Sequence, residues 1–251
     1  MIEHFVETPN LPENKVISVI VSGYKPRLVT ELKKYGIDTM TFGQLESISG
    51  SEAHHADMSF CHIGGRNIFL SVNASSEIKD RLKSAGFVLH ETDSPITAAR
   101  PSLNICILGN KVLANTRLAD KSLLEVLRQT GHTIIHTNQG YTKCSCAVVS
   151  ENAVMTSDDG IYKICLENKI DALKIQSGYI ELDGYKYGFI GGCCGYISQN
   201  VLAFSGDITL HPDYKNIRSF LKNYDTEPLS LLDEPLYDIG GILPVMECGS
   251  F

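Results

Sequence analysis

Apolar residues in this chain fall into short runs separated by polar turns, and the arrangement recurs at intervals of 45, 41 and 48 residues. Each copy opens with an apolar run, turns at a Gly, Asn or Ser, and resumes as a second run. It closes with a stretch of helical spacing and one more short run. The openings read HADMSFCHIGGRNIFLSVN, SLNICILGNKVLANTR, CSCAVVSENAVMTSDD and GYISQNVLAFSGD, with turns at Gly64, Gly109, Ser150 and Ser198. A period of this length predicts a repeat architecture in which each unit covers the apolar face of its neighbour.

The units can be followed from end to end. VISVIVS (16–22) is a strand, PRLVTELKKYG a helix with Leu28 and Leu32 on one face and Gly36 after it, and IDTMTF a second strand. In the next unit DMSFCHI and NIFLSV are strands, SSEIKDRLKSAG is a helix with Ile78, Leu82 and Ala85 inward, and FVLHE follows. NICIL and KVLAN flank the turn dipeptide Gly109-Asn110, Asp120 caps KSLLEVLRQTG, and HTIIHT ends that unit. KCSCAVVS, NAVMTS, a helix capped by Asp158, and IDALKI make the fourth. YGFIGGCCGYIS, NVLAFS, HPDYKNIRSFLKNY with Pro212 in its first turn, and EPLSLL make the fifth. The tail YDIGGILPVM, about 237–246, is a strand with no helix after it, while the first unit lacks an opening strand. The tail therefore completes the first unit and closes a ring, which also removes sheet edges. One domain over 1–251 is expected, with 1–15 as an N-terminal extension.

Composition narrows the function classes. The net charge of -7, without a Lys/Arg run, gives no reason to hold a polyphosphate backbone, so nucleic acid is not an expected partner. No run approaches the ~18–20 apolar residues of a membrane span, and the N-terminus carries no signal-peptide pattern. Eight cysteines lie mostly in apolar runs, which predicts reduced, buried thiols and a cytoplasmic setting.

Strand–strand–helix–strand units in a ring of five resemble the pentein, or guanidino-group-modifying enzyme, fold: an α/β class, five-bladed pseudo-symmetric α/β-propeller of ββαβ units. The resemblance runs from about residue 16 to 247. The family includes dimethylarginine dimethylaminohydrolase, arginine and agmatine deiminases, amidinotransferases and a non-enzymatic ribosome anti-association factor. It implies a cysteine nucleophile, a proton-moving histidine and carboxylates that hold a guanidinium at the centre. Asp57 of HHADMSF matches the acidic position, although Ala56 replaces its acidic neighbour, and Arg117 of ANTRLAD matches the arginine that receives a substrate carboxylate. The histidine segment corresponds to Tyr141-Thr142-Lys143, and Tyr141 cannot shuttle protons near neutral pH without a large pKa shift. Leu243-Pro244 stand where the nucleophile belongs, with Cys248 about four residues too late.

The leading expectation is therefore a pentein that binds a small guanidino or amino-acid-like ligand through Asp57, Arg117, Tyr141 and Lys143, with the usual catalytic His and Cys absent. An alternative is a hydrolase or amidinotransferase-like enzyme on C–N bonds whose nucleophile has moved to Cys193 or Cys194 in GGCCGY, with His55 or His62 as partner. In an extended strand those two thiols face opposite ways. A third reading is a non-enzymatic scaffold like the anti-association factor. Cys144, Cys146, the Cys193-Cys194 pair and the histidines of HHADMSFCH are borderline-soft ligands, but no C-x-x-C pair occurs, so neither a metal nor a cofactor is expected. The polar groups of TSDDG and SGD cap helices, or place helix N-termini on one rim toward an anionic group.

Overall fold

The computed structural model describes residues 2–249. The chain begins with β1 (Ile2–Phe5), β2 (Lys15–Ser22), α1 (Pro26–Lys34) and β3 (Asp38–Phe42). The second unit is a short α2 (Ala56–Ser59), β4 (Phe60–His62), β5 (Asn67–Leu70), α3 (Ser76–Ser84) and β6 (Val88–Glu91). The third is β7 (Cys106–Leu108), β8 (Lys111–Ala114), α4 (Lys121–Gln129) and β9 (Thr133–His136). The fourth is α5 (Thr142–Ser145), β10 (Ala147–Ser150), β11 (Ala153–Thr156), α6 (Asp159–Glu167) and β12 (Asp171–Lys174). The fifth is β13 (Cys194–Ser198), β14 (Val201–Phe204), α7 (Tyr214–Lys222) and β15 (Glu227–Ser230), after which β16 (Ile242–Gly249) ends the described chain.

Each unit builds one small sheet with the same logic. The first two strands pair antiparallel through a tight turn, and the third returns parallel to the second after the helix. The helices α1, α3, α4, α6 and α7 are nine residues each. At about 1.5 Å per residue this spans about 13 Å, the length of a four-residue strand, so one helix covers one strand. Asp120 and Asp158 accept from Leu123 N and Ile161 N at the starts of α4 and α6, as the capping pattern predicts.

The tail does complete the first unit: the sheet order is β1-β16-β2-β3, and β16 pairs antiparallel with β2. The expected tail strand nonetheless starts later than read. Gly240 and Gly241 both sit at positive φ (75° and 82°), which turns the chain before Ile242. Pro212 lies before α7, whose N-cap is Asp213. The N-terminal extension contributes β1 and then crosses the molecule. Val6 is fully buried, its carbonyl accepts from Gly65 N, and Asn10 donates to the carbonyl of Ile107.

The apolar interior is divided into five clusters, each lying between two successive sheets. Leu243 and Phe60 belong to the one between the first and second sheets, Cys61 and Ile107 to the next, and Cys106 and Val148 to the third. Val149 and Tyr196 join the fourth to the fifth, and Ile197 and Val19 bring the fifth back to the first. The fold is thus a five-bladed α/β propeller with the cores between blades, which leaves the axis to other residues. Among the described residues no helix is long and apolar enough to cross a membrane.

Candidate functional site

The axis is built from the residues just before the first strand of each blade. Asp57 precedes β4, Asn104 precedes β7, Lys143 and Cys144 precede β10, Gly191 and Gly192 precede β13, and Asp238 and Gly240 precede β16. These stretches are not the strands that their apolar character predicts. DMS and TKCS are single helical turns, and Ile190–Cys193 is a 3-10 turn. Turning there points backbone and side-chain polar groups at the axis instead of at a neighbouring strand.

Hydrogen bonds run around the hub through every blade. Asn104 Nδ2 donates to the carbonyl of Asp57, and Asn104 Oδ1 accepts from the Lys143 and Cys144 amides (2.8 and 3.2 Å). Lys143 Nζ reaches the carbonyl of Gly191 (3.5 Å), Gly192 O accepts from Ile239 N and Gly241 N, and Gly240 O accepts from Asp57 N. The glycines are needed for close approach. A Cβ on Gly192 would land on the Asp238 carboxylate, and one on Gly240 would land on His55.

Inside this ring stand four groups at contact range. Cys144 Sγ donates to Asp57 Oδ2 (2.8 Å), and His55 Nδ1 lies 3.7 Å from Asp238 Oδ1. Donor atoms of His55, Cys144 and Asp238 all lie within 4.8 Å of one another. His55 is 3% exposed, and Asp57, Cys144 and Asp238 are each 1% exposed. Asp238 is held by the amides of Gly240 (to Oδ1) and Phe189 (to Oδ2). Both ring nitrogens of His55 and Asp57 Oδ1 have no hydrogen-bond partner. Buried polar atoms are normally satisfied, so this concentration of unpaired groups at one point requires an account.

Electrostatics follow from burial. Burial raises the Asp57 carboxyl, opposed by His55 and Lys143 and reinforced by Asp238. Burial, then the Asp57 and Asp238 charges, push the Cys144 thiol well up, so it is a neutral donor to Asp57. Burial pulls the Lys143 ammonium down, and Asp57 together with Cys194, Cys106 and Cys144 outweighs it, so its pKa lies above the ordinary value. Beside Asp57 and Lys143 is a cavity of about 20 Å3, bordered also by Phe60, His62, Leu243, Pro244 and Asn10 of the N-terminal segment. That is room for about one water molecule.

Asp57, Lys143 and His55, expected from sequence, meet at the hub. Tyr141 stands beside it, half-buried, donating to the carbonyl of Ala98 (2.8 Å) and raised in pKa by burial and by Glu52. Glu52 is itself buried, with Oε2 unpartnered. Arg117 lies apart, exposed on the turn after β8. The turn ending in Cys193 brings Cys193 and Cys194 to the same side, not opposite ones, and both thiols donate to the carbonyl of Ile190 (3.2 Å). Burial raises both, Cys194 to about 12. Asn104, Cys144 and Asp238 were not singled out as hub residues. Aligning the repeats on the residues before each first strand, instead of on the turns within the hairpins, would have collected them.

The fold is shared with solved structures at low identity. An amidinotransferase of the saxitoxin biosynthetic pathway from Microseira wollei matches at TM-score 0.61 and 10% identity, covering 98% of each chain. The inosamine-phosphate amidinotransferase of Streptomyces griseus matches at 0.61 and 11%, covering 99% of this chain and 98% of that one. DDAH from Pseudomonas aeruginosa, complexed with citrulline, matches at 0.52 and 8%, covering 86% and 93%. These likenesses establish the pentein fold. No curated protein matches the chain by sequence. A model of the family of unknown function DUF6873 matches residues 20–243, nearly the whole propeller, and the chain belongs to that family.

Proposed function

We propose that the hub binds a small guanidino or amino-acid-like cation, held by the carboxylates of Asp57 and Asp238. The observation that carries this reading is a buried centre with unmet hydrogen-bonding capacity: Asp57 Oδ1 accepts from no donor and neither ring nitrogen of His55 has a partner, beside a neutral thiol. A guanidinium is a planar fork of N–H donors, which suits a carboxylate with a free oxygen. The fold neighbours that act on guanidino groups support the same ligand class. The carboxyl groups of Asp57 and Asp238 are both buried here together with Lys143. The cavity beside Asp57 is too small for such a ligand, so in this reading the hub widens on binding. Arg117 remains solvent-exposed in this reading, and Lys143 serves the hub instead of the ligand's far end. Titration calorimetry of the metal-free protein with arginine, agmatine and methylated arginines tests it. Heat is expected with at least one of these and is expected to vanish in Asp57→Asn; no heat with any of them overturns the proposal.

A second reading is thiol chemistry at the same point. Cys144 is favoured over Cys193 or Cys194 because it alone of the three touches a hub carboxylate. The negative charges that hold it as a thiol are neutralised when a cation binds, which favours the thiolate. His55, within 4.8 Å of the sulfur, is placed to take the proton. An amidinium-bearing haloacetamidine is then expected to alkylate Cys144 faster than neutral iodoacetamide does. Equal rates, or mapping of the label to another cysteine, refutes this.

A further inference from the structure

We infer that the hub is also a site for one divalent metal ion of the zinc class, ligated by Cys144, His55 and Asp238, with Asp57 as the fourth donor. Three donors from three blades, His55 of the second, Cys144 of the fourth and Asp238 of the first, lie within 4.8 Å of one another, and Asp57 of the second joins them through its 2.8 Å contact with Cys144. In tetrahedral zinc sites, metal bonds of about 2.0–2.3 Å place neighbouring ligand atoms roughly 3.3–3.8 Å apart. Here His55 Nδ1 and Asp238 Oδ1 stand at 3.7 Å and Cys144 Sγ and Asp57 Oδ2 at 2.8 Å, with the widest spacing among His55, Cys144 and Asp238 within 4.8 Å.

The imidazole supplies an independent indication. His55 is buried, yet neither ring nitrogen finds a partner, although a neutral ring has one donor and one acceptor to satisfy. Ligation through either nitrogen satisfies the acceptor. The supporting contacts expected of a metal site are also present. Asn104 Nδ2 donates to Cys144 Sγ (3.2 Å), and the amides of Gly240 and Phe189 fix the two oxygens of Asp238. One thiolate, one imidazole and two carboxylates form a donor set that suits zinc, cobalt(II) or iron(II) better than magnesium or calcium.

Ion binding converts the Cys144 thiol to a metal thiolate and releases its proton to solvent, so affinity rises with pH. The inference does not rest on the guanidino reading, but the two occupants share Asp57 and Asp238 and exclude each other.

The test is metal content and cobalt spectroscopy on the full chain. Protein purified without chelator from zinc-supplemented cells is expected to hold about one zinc per chain by elemental analysis. Cobalt-loaded protein is expected to show thiolate-to-cobalt charge-transfer absorption in the near ultraviolet. Cys144→Ser should abolish that band, His55→Ala should weaken cobalt binding at least tenfold, and Cys165→Ser, whose thiol lies in α6, should keep both. Absence of metal as purified together with no cobalt band on loading overturns the proposal. So does a band that survives in Cys144→Ser. Calorimetry with guanidino compounds on metal-free protein reports separately on the other reading, so the two fail independently.

Discussion

His62 gives the sharpest quantitative test of how the hub's surroundings are packed. It ends β4, borders the small cavity, and is buried, with Nε2–H donating to the carbonyl of Gly65 (2.9 Å). Its Nδ1 has no partner, and the ring meets Phe87 edge-on with centroids 6.3 Å apart. A second proton on Nδ1 would find neither water nor an acceptor. Burial accordingly pulls the imidazole from 6.5 down to about 4, against the opposing effect of the Gly65 bond. Between those values the unfolded chain carries a proton that the folded chain does not, so stability rises with pH through the window and is lost as pH falls. At about 1.4 kcal/mol per tenfold, the full effect is about 3 kcal/mol, of which about 2 kcal/mol is lost between pH 7 and pH 4.5. Carboxylates titrate in the same range, so the quantity to read is a difference. Urea unfolding of wild type and His62→Gln is measured at both pH values. Glutamine keeps a donor for Gly65 and does not titrate. Wild type is expected to lose about 2 kcal/mol more than the variant on acidification. Parallel losses, or an imidazole that titrates near 6.5 by NMR, would refute the reasoning.

Two further substitutions probe the scaffold. Gly192→Ala places a methyl group on the Asp238 carboxylate, so it is expected to destabilise by about 1–3 kcal/mol and to displace Asp238 from the hub. Urea unfolding checks the first part, and a change below about 0.5 kcal/mol would mean that the approach is not tight. Asp120→Ala removes the acceptor for Leu123 N at the start of α4 and is expected to cost about 1 kcal/mol, read as a lowered melting temperature with the hub's ligand binding unchanged.

Much of the propeller was legible because the blades repeat the same local signals: a pair of apolar strand runs about a turn and an amphipathic helix, closed by a glycine after α1, α3 and α4. Asp120 and Asp158 cap as their positions imply, and the incomplete first unit pointed to the tail as its missing strand. The hub was less legible for a physical reason. DMS, TKCS and IGGC are buried stretches whose side chains do not alternate between a wet and a dry face, so periodicity cannot separate a strand from a turn there. Reading them as strands hid where their polar groups point. Cys144 lies in a string noted for its cysteines, but its contact with Asp57 crosses 87 residues of chain. The Asp238–His55 approach depends on two glycines whose role is to leave space.

A wheel of five near-equal blades has no structural need for unequal residues at its axis, and an aliphatic ring there would avoid the cost of burying charge. This chain instead places Asp57, Asn104, Lys143 with Cys144, a glycine pair, and Asp238 at matched positions. Gly192 makes room for Asp238, Gly191 lets the chain pass close to the Cys146 and Lys143 carbonyls, and Lys143 spans the gap to the Gly191 carbonyl. Asn104 satisfies two amides with one oxygen while its nitrogen steadies the thiol and the carbonyl of Asp57. Most of these groups are satisfied within the ring. The ring nitrogens of His55 and Asp57 Oδ1 are not, and neither are Ser145 Oγ, next to Cys144 in the chain, and His62 Nδ1 at the adjoining cavity. A buried polar set that is paired at its margins and unpaired at its centre departs from the rule that buried polar groups find partners, and a bound cation is the occupant we propose for it.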